Sequence, residues 1–220
     1  MSGSCCLALV HGWGSDDQVW EPLRTLLPDM EIETFDLGFF GRPRRPEMAS
    51  RERVIAVGHS LGFLWLLHER PWGWRALISI GGFSRFTRAP DFPEGVEDRI
   101  LSRMTARLRE DPARVVEEFR ERCGCPGHGL PPHLDTERLG QGLGWLAEWD
   151  ERDALAAERC PVLALFAYDD AVVPPMLSER VFASRRSTVV GRSDHGGHAL
   201  PVTRPEWCAE RIRWFAETLP

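Results

Sequence analysis

The sequence predicts an α/β domain: a mostly parallel sheet flanked by helices and carrying an all-helical insertion as a lid. Three observations lead there. Short apolar runs rich in β-formers alternate with helix-like stretches over residues 1–83 and 151–220; such alternation builds parallel sheets with helical crossovers. Between residues 84 and 150 the alternation stops and no strand pattern occurs. With 220 residues, 43% of them hydrophobic, the chain is long enough to bury one large core.

In chain order, the strand runs are 5–10 (CCLALV), 31–36 (EIETFD), 53–57 (RVIAV), 75–80 (RALISI), 161–167 (PVLALFA) and 187–190 (STVV). Helix-like stretches lie at 16–27, 61–70 and 204–218. The PRRP stretch at 43–46 reads as a loop, leaving little room for a full helix between the second and third strands. In the insertion, Leu101, Met104 and Leu108 recur at helical spacing while Arg99, Arg103 and Arg107 recur every four residues, giving one apolar and one basic face. Further helices are expected at 111–122 and 135–147. A single crossover needs one helix, not three, so 84–150 is read as a lid subdomain on a core of 1–83 and 151–220.

Composition narrows the chemistry. A net charge of -6 argues against a general nucleic-acid binder, which needs a basic face to displace counterions. Lysine is absent, which excludes Schiff-base chemistry and a P-loop lysine; asparagine is absent too, which excludes N-glycosylation. No run approaches membrane-spanning length. The first residues lack a basic leader region, so the six cysteines are expected as reduced thiols in a cytoplasmic protein. The cluster Cys123, Cys125 and His128, with His133 nearby, lacks a second ligand pair at structural-zinc spacing and reads as a loop. Neither metal nor organic cofactor is expected.

Residues 54–67, VIAVGHSLGFLWLL, run from an apolar strand through G-x-S-x-G into an apolar helix. That is a nucleophile elbow, whose turn is so tight that the neighbours two residues away must be small, and it presents Ser60 at the sheet edge. Acyl transfer also needs donors in place for the charge developing on the carbonyl oxygen. The elbow architecture supplies them from the residue after the nucleophile, Leu61, and from the loop after an earlier strand, here Trp13 of His11-Gly12-Trp13-Gly14. His11 itself reads as a histidine that holds the turn. An aspartate at a strand end can fix the tautomer of a catalytic imidazole; FAYDDAVVP offers Asp169 and Asp170. SDHGGHALP, between a strand and the last helix, offers His195 and His198. A serine, aspartate, histidine chain order is that of α/β hydrolases, and the motifs alone leave both pairs open.

Taken together, HGWG, GHSLG, YDDAVVP, GHALPVTRPEWCAERI and the insertion segments DPARVVEEF and GLGWLAEWDERDAL resemble the pimeloyl-acyl-carrier-protein methyl ester carboxylesterases of biotin synthesis, within the α/β hydrolases. The resemblance implies Ser60 as nucleophile, Asp170 as the acid (four residues before Pro174 in D-x-x-V-P), His198 as base, and Trp13 and Leu61 as oxyanion donors. It further implies Arg114 as a contact to the acyl carrier protein and Phe119 as an aromatic lining the acyl pocket. Departures are Glu118, where the pattern has a second carrier-facing arginine, an abbreviated segment from Asp36 to Arg53, and no counterpart of the strands that usually precede the HG strand. Arg99, Arg103, Arg107, Arg120 or Arg122 could compensate for Glu118. Residues 84–122 hold nine arginines and nine acidic residues, so the net negative charge lies elsewhere, and a less acidic lid suits an acidic carrier.

The expected function is a serine carboxylesterase acting on a carrier-bound pimeloyl methyl ester. An esterase or thioesterase of small soluble acyl esters is the alternative, and a non-catalytic binding protein on a hydrolase scaffold is the reading from another class.

Overall fold

The structure, a computed structural model, describes residues 5–48, 53–125, 129–183, 185 and 187–219. The reading of His128 as part of a loop falls outside these residues. Six strands form one parallel sheet: β1 (Cys6–Val10), β2 (Glu31–Phe35), β3 (Val54–His59), β4 (Ala76–Ile80), β5 (Val162–Ala167) and β6 (Thr188–Ser193), in the order β2-β1-β3-β4-β5-β6. All six expected strands form; the four central runs, β1, β3, β4 and β5, are buried on both faces as a parallel sheet requires, while the edge strands β2 and β6 are only partly buried.

Alternate strand residues feed two layers. Leu7, Leu9, Ile55, Val57, Ile78, Leu163 and Leu165 face α1 (Glu21–Leu26) and the C-terminal α9 (Pro205–Thr218), which contributes Cys208, Ile212 and Phe215. Ala8, Val10, Val54, Ala56, Leu77 and Val162 face α2 (Leu61–Glu69) and α7 (Pro175–Ala183). The expected helix over 16–27 is a 3-10 turn, Asp17–Trp20, running into α1, whose Pro22 sits in the first turn where its missing N–H costs nothing.

Between β4 and β5 lie α3 (Asp98–Glu110), α4 (Pro112–Arg122), α5 (Thr136–Glu148) and α6 (Arg152–Ala157). Leu101 and Leu108 of α3, Val115 and Val116 of α4, and Leu139 and Leu143 of α5 are buried and continuous with the sheet's second layer. Short α8 (Leu200–Thr203) precedes α9. Among the described residues no helix is long and apolar enough to cross a membrane, and no group of three or more His, Cys, Asp or Glu is placed to hold a metal ion.

The chain leaves β1 for β2 on one side and returns to β3 on the other. The crevice beyond the carboxyl ends of β1 and β3 is therefore the place where such sheets bind ligands. His11 to Trp13 follow β1, Ser60 follows β3, Asp170 follows β5 and His198 follows β6.

Candidate active site

Ser60 sits between β3 and α2 at φ 53°, ψ -123°, a backbone region that costs a non-glycine residue on the order of 1–3 kcal/mol. The surroundings over-determine it. Its N–H donates to the carbonyl of Ile80 (3.0 Å), and its own carbonyl accepts from Phe63 N–H (3.0 Å). The flanking glycines are obligatory: a Cβ at Gly58 would lie 2.3 Å from Phe63 Cα, and one at Gly62 would lie 2.2 Å from the Val10 carbonyl oxygen. Small residues thus let the strand end, the helix start and the β1 loop converge on one hydroxyl-bearing residue that is itself buried. Leu61 is the first residue of α2, and its N–H is among those a helix leaves without an intrahelical acceptor.

Of the two adjacent aspartates, Asp170 reaches the histidine. Its Oδ2 accepts from His198 Nδ1 at 2.8 Å, with both side chains 1% exposed. Its Oδ1 accepts from the N–H groups of Val172 and Val173, each at 2.8 Å, so the carboxylate is fixed by three donors. Asp169 instead accepts from the backbone N–H groups of Gly196 (3.2 Å) and Gly197 (2.8 Å), bracing the loop that carries His198. His195 is 80% exposed and 4.0 Å from Asp169. In the neutral ring, donation from Nδ1 to Asp170 leaves the lone pair on Nε2; that nitrogen is buried and, among the described residues, has no hydrogen-bond partner. His198 packs against Gly81, just past β4, where a Cβ would lie 3.3 Å from its Nδ1. Ser60 is bonded to Ile80, the residue before Gly81, which sets the two side chains at neighbouring strand ends.

His11 is structural. Its Nε2 accepts from Leu37 N–H (2.9 Å), and its Nδ1–H therefore donates to the Gly12 carbonyl (2.9 Å), joining the ends of β1 and β2. His59, which the motif reading passed over as the variable residue of G-x-S-x-G, is buried beside the site. Its Nε2–H donates to the main-chain carbonyl of His198 at 3.0 Å. Burial, and secondly the neighbouring His198, push its pKa down to about 3. The signal was present in the sequence as a second titratable side chain adjacent to the nucleophile.

Trp13 is buried, and its indole N–H donates to the Leu139 carbonyl of α5 (2.8 Å). Phe119 of α4 meets it edge-on, ring centroids 4.9 Å apart. The remaining insertion residues divide. Arg114 is 61% exposed and bonded through Nε to Glu118 (2.8 Å), which also takes both terminal nitrogens of Arg107 (2.6 and 2.9 Å). These partners, Arg107 first, hold the Glu118 pKa down at about 2. Glu118 thus occupies two arginines. Arg120 turns inward, donating to the Gly14 carbonyl (3.0 Å) and stacking over Phe40, which removes it from the surface arginines that could meet a carrier. Arg99 pairs with Glu97. Arg103 and Arg122, with Arg107, rim a cavity of about 340 Å³ between α3 and α4 whose apolar walls are Ile100, Met104, Val115 and Phe119.

No family model matches the chain. Among curated proteins it is 28% identical to the biotin biosynthesis bifunctional protein of Cellvibrio japonicus, over 97% of this chain and 48% of that one, so it spans about half of that relative. It is 27% identical to the pimeloyl-[acyl-carrier protein] methyl ester esterase of Vibrio parahaemolyticus, over 96% of this chain and 94% of that one. The esterase of the same name from Neisseria meningitidis is 28% identical over 95% and 92%. Among solved structures, the bromoperoxidase from Bacillus anthracis superposes with a TM-score of 0.85 at 17% identity, covering 97% of this chain and 92% of that one. An esterase from Exiguobacterium antarcticum superposes with 0.84 at 16% identity, covering 99% and 94%. The fold is the α/β-hydrolase fold, and in sequence the chain is similar to pimeloyl-acyl-carrier-protein methyl ester esterases over nearly its whole length.

Proposed function

We propose that this protein is a serine carboxylesterase that hydrolyses the methyl ester of a pimeloyl chain carried on acyl carrier protein, a reaction of biotin synthesis that we assign to the cytoplasm. The observation that carries the esterase reading is the buried Asp170–His198 pair with the unpartnered Nε2 of His198 at the strand end next to a strained Ser60. Support for the substrate comes from two relatives that match nearly its whole length.

In this reading His198 Nε2 takes the Ser60 hydroxyl proton as Oγ attacks the ester carbonyl, and Asp170 stabilises the imidazolium that forms. The N–H groups of Leu61 and Trp13 receive the oxyanion; one such donor is typically worth about 3 kcal/mol of transition-state stabilisation. Collapse of the tetrahedral intermediate breaks the carbon–methoxy bond, and the His198 proton leaves with methanol. Water then attacks the acyl-enzyme with His198 again as base, releasing the carboxylate and restoring Ser60. Arg114 and the rim arginines of the insertion face the carrier, and Phe119 lines the path of the acyl chain. The insertion serves as the lid.

One observation favours a second substrate class, small soluble acyl esters: Glu118 neutralises Arg107 and Arg114, weakening attraction to an acidic carrier. A fluorophosphonate probe tests the shared chemistry. Labelling confined to Ser60 and abolished in Ser60→Ala supports a serine hydrolase, and no labelling returns the protein to a binding role on a hydrolase scaffold.

A further inference from the structure

Resting on the serine-esterase reading, we infer that His59 is a positioning residue: its hydrogen bond to the His198 carbonyl ties the strand that carries the nucleophile to the loop that carries the base. His59 is the last residue of β3 and the immediate neighbour of Ser60. The bond it makes spans 139 positions of chain to reach the backbone of His198. That loop has little intrinsic shape, since Gly196 (φ 128°) and Gly197 (φ 62°) occupy conformations that suit glycine and leave the unfolded chain many alternatives. Its position is therefore set by what holds it. Asp169 holds the two glycines, Thr203 Oγ1–H donates to the Gly196 carbonyl, and the Cys123 carbonyl takes Ala199 N–H. Asp170 holds the His198 ring. Among these ties, that from His59 joins the backbone of residue 198 directly to the strand from which Ser60 projects.

A carbonyl only accepts, so Nε2 of His59 carries the proton. The other ring nitrogen, Nδ1, is buried without a partner among the described residues and faces Gly12, where a Cβ would lie 3.1 Å away. The ring is thus a neutral donor, buried at 4% exposure, with its centroid 5.1 Å from that of His198. Neutrality matters during turnover. A cation at this distance would oppose protonation of the base, so residue 59 has to donate without carrying charge, which a lysine or arginine would not do.

The test is a substitution set read with a p-nitrophenyl ester and with the rate of fluorophosphonate labelling. His59→Gln places an amide N–H near the position of Nε2; His59→Asn is one carbon too short to reach the carbonyl; His59→Leu keeps the bulk and loses the donor. Displacing a reacting group by about 1 Å can cost up to about 100-fold in rate. His59→Leu and His59→Asn are accordingly expected to lower kcat and the labelling rate in parallel by roughly 10- to 100-fold, with KM within about twofold, while His59→Gln recovers most of the loss. A folded Leu or Asn variant with wild-type kcat overturns the inference, as does a Gln variant no better than Asn. Should the Leu variant fail to fold, the Gln and Asn pair still decides. Ser60→Ala separates the two levels: if it retains turnover the esterase reading falls, and if it is inactive while the His59 variants behave as wild type, the inference about His59 falls alone.

Discussion

Whether an ionisable side chain holds a buried histidine or braces a loop is decided here by one peptide unit. Asp169 and Asp170 are adjacent, yet one accepts from Gly196 and Gly197 at the surface and the other is sealed against His198. Chain order alone does not separate them, and only the D-x-x-V-P spacing of the resemblance points to Asp170; their difference is burial imposed by the strand end and by the N–H groups of Val172 and Val173. His195 and His198 divide in the same way, at 80% and 1% side-chain exposure. Ser60→Ala and His198→Ala are expected to remove nearly all turnover and His195→Ala to leave most of it, measured as kcat/KM on any ester the enzyme accepts. Asp170→Asn is expected to lower kcat by about 10⁴-fold, the scale seen when a triad histidine loses its tautomer partner, whereas Asp169→Asn loosens the loop and costs far less.

His59 also predicts a stability profile. Its pKa falls from 6.5 to about 3 on folding. Between those values the unfolded chain binds a proton that the native state refuses, so unfolding free energy rises with pH across that window and is lost as pH falls through it. The slope from one such group is at most about 1.4 kcal/mol per pH unit. Denaturant unfolding at several pH values should show a shallower rise in His59→Gln than in the wild type.

At the scale of elements, the four central strands were legible because a doubly buried parallel strand must be a continuous apolar run, and the edge strands β2 and β6 from shorter runs of β-formers; all six formed. The longer insertion helices were legible from their periodicity. α6 and α7 were not: at six and nine residues they give too few turns for a pattern, and neither follows a motif such as the G-x-S-x-G that marks the equally short α2. What escaped the sequence altogether is how the insertion is fastened. Trp13 donates to Leu139, Arg120 to Gly14 and Arg138 to Leu37, while Cys123 accepts from Ala199. All four bonds use a main-chain carbonyl, which every residue offers, so no residue pairing announces them. They join the insertion to the loops after β1, β2 and β6. Trp13→Phe removes a second donor from the Leu139 carbonyl, which keeps its partner within α5, at a cost of about 0.5–1.5 kcal/mol, and is expected to lower Tm by a few degrees in a thermal melt. Glu118→Gln releases Arg107 and Arg114. It is expected to lower KM for a carrier-bound ester and steepen its salt dependence, leaving hydrolysis of a p-nitrophenyl ester unmoved.

For the molecule as a whole, an enzyme of net charge -6 is proposed to receive an acidic carrier. The attraction has to be local, and the arginines of α3 and α4 are the available source. The six strands and the elbow follow from apolar runs and glycine spacing. Substrate identity does not, because it depends on how arginines and glutamates pair on folded helices. The most direct test is hydrolysis of pimeloyl-acyl-carrier-protein methyl ester by the purified protein, beside p-nitrophenyl esters of increasing chain length. Efficient cleavage of the carrier-bound ester, weakened by salt and by Arg114→Ala, is the predicted result. Turnover of short free esters alone, with the carrier-bound ester untouched, would contradict the proposed substrate.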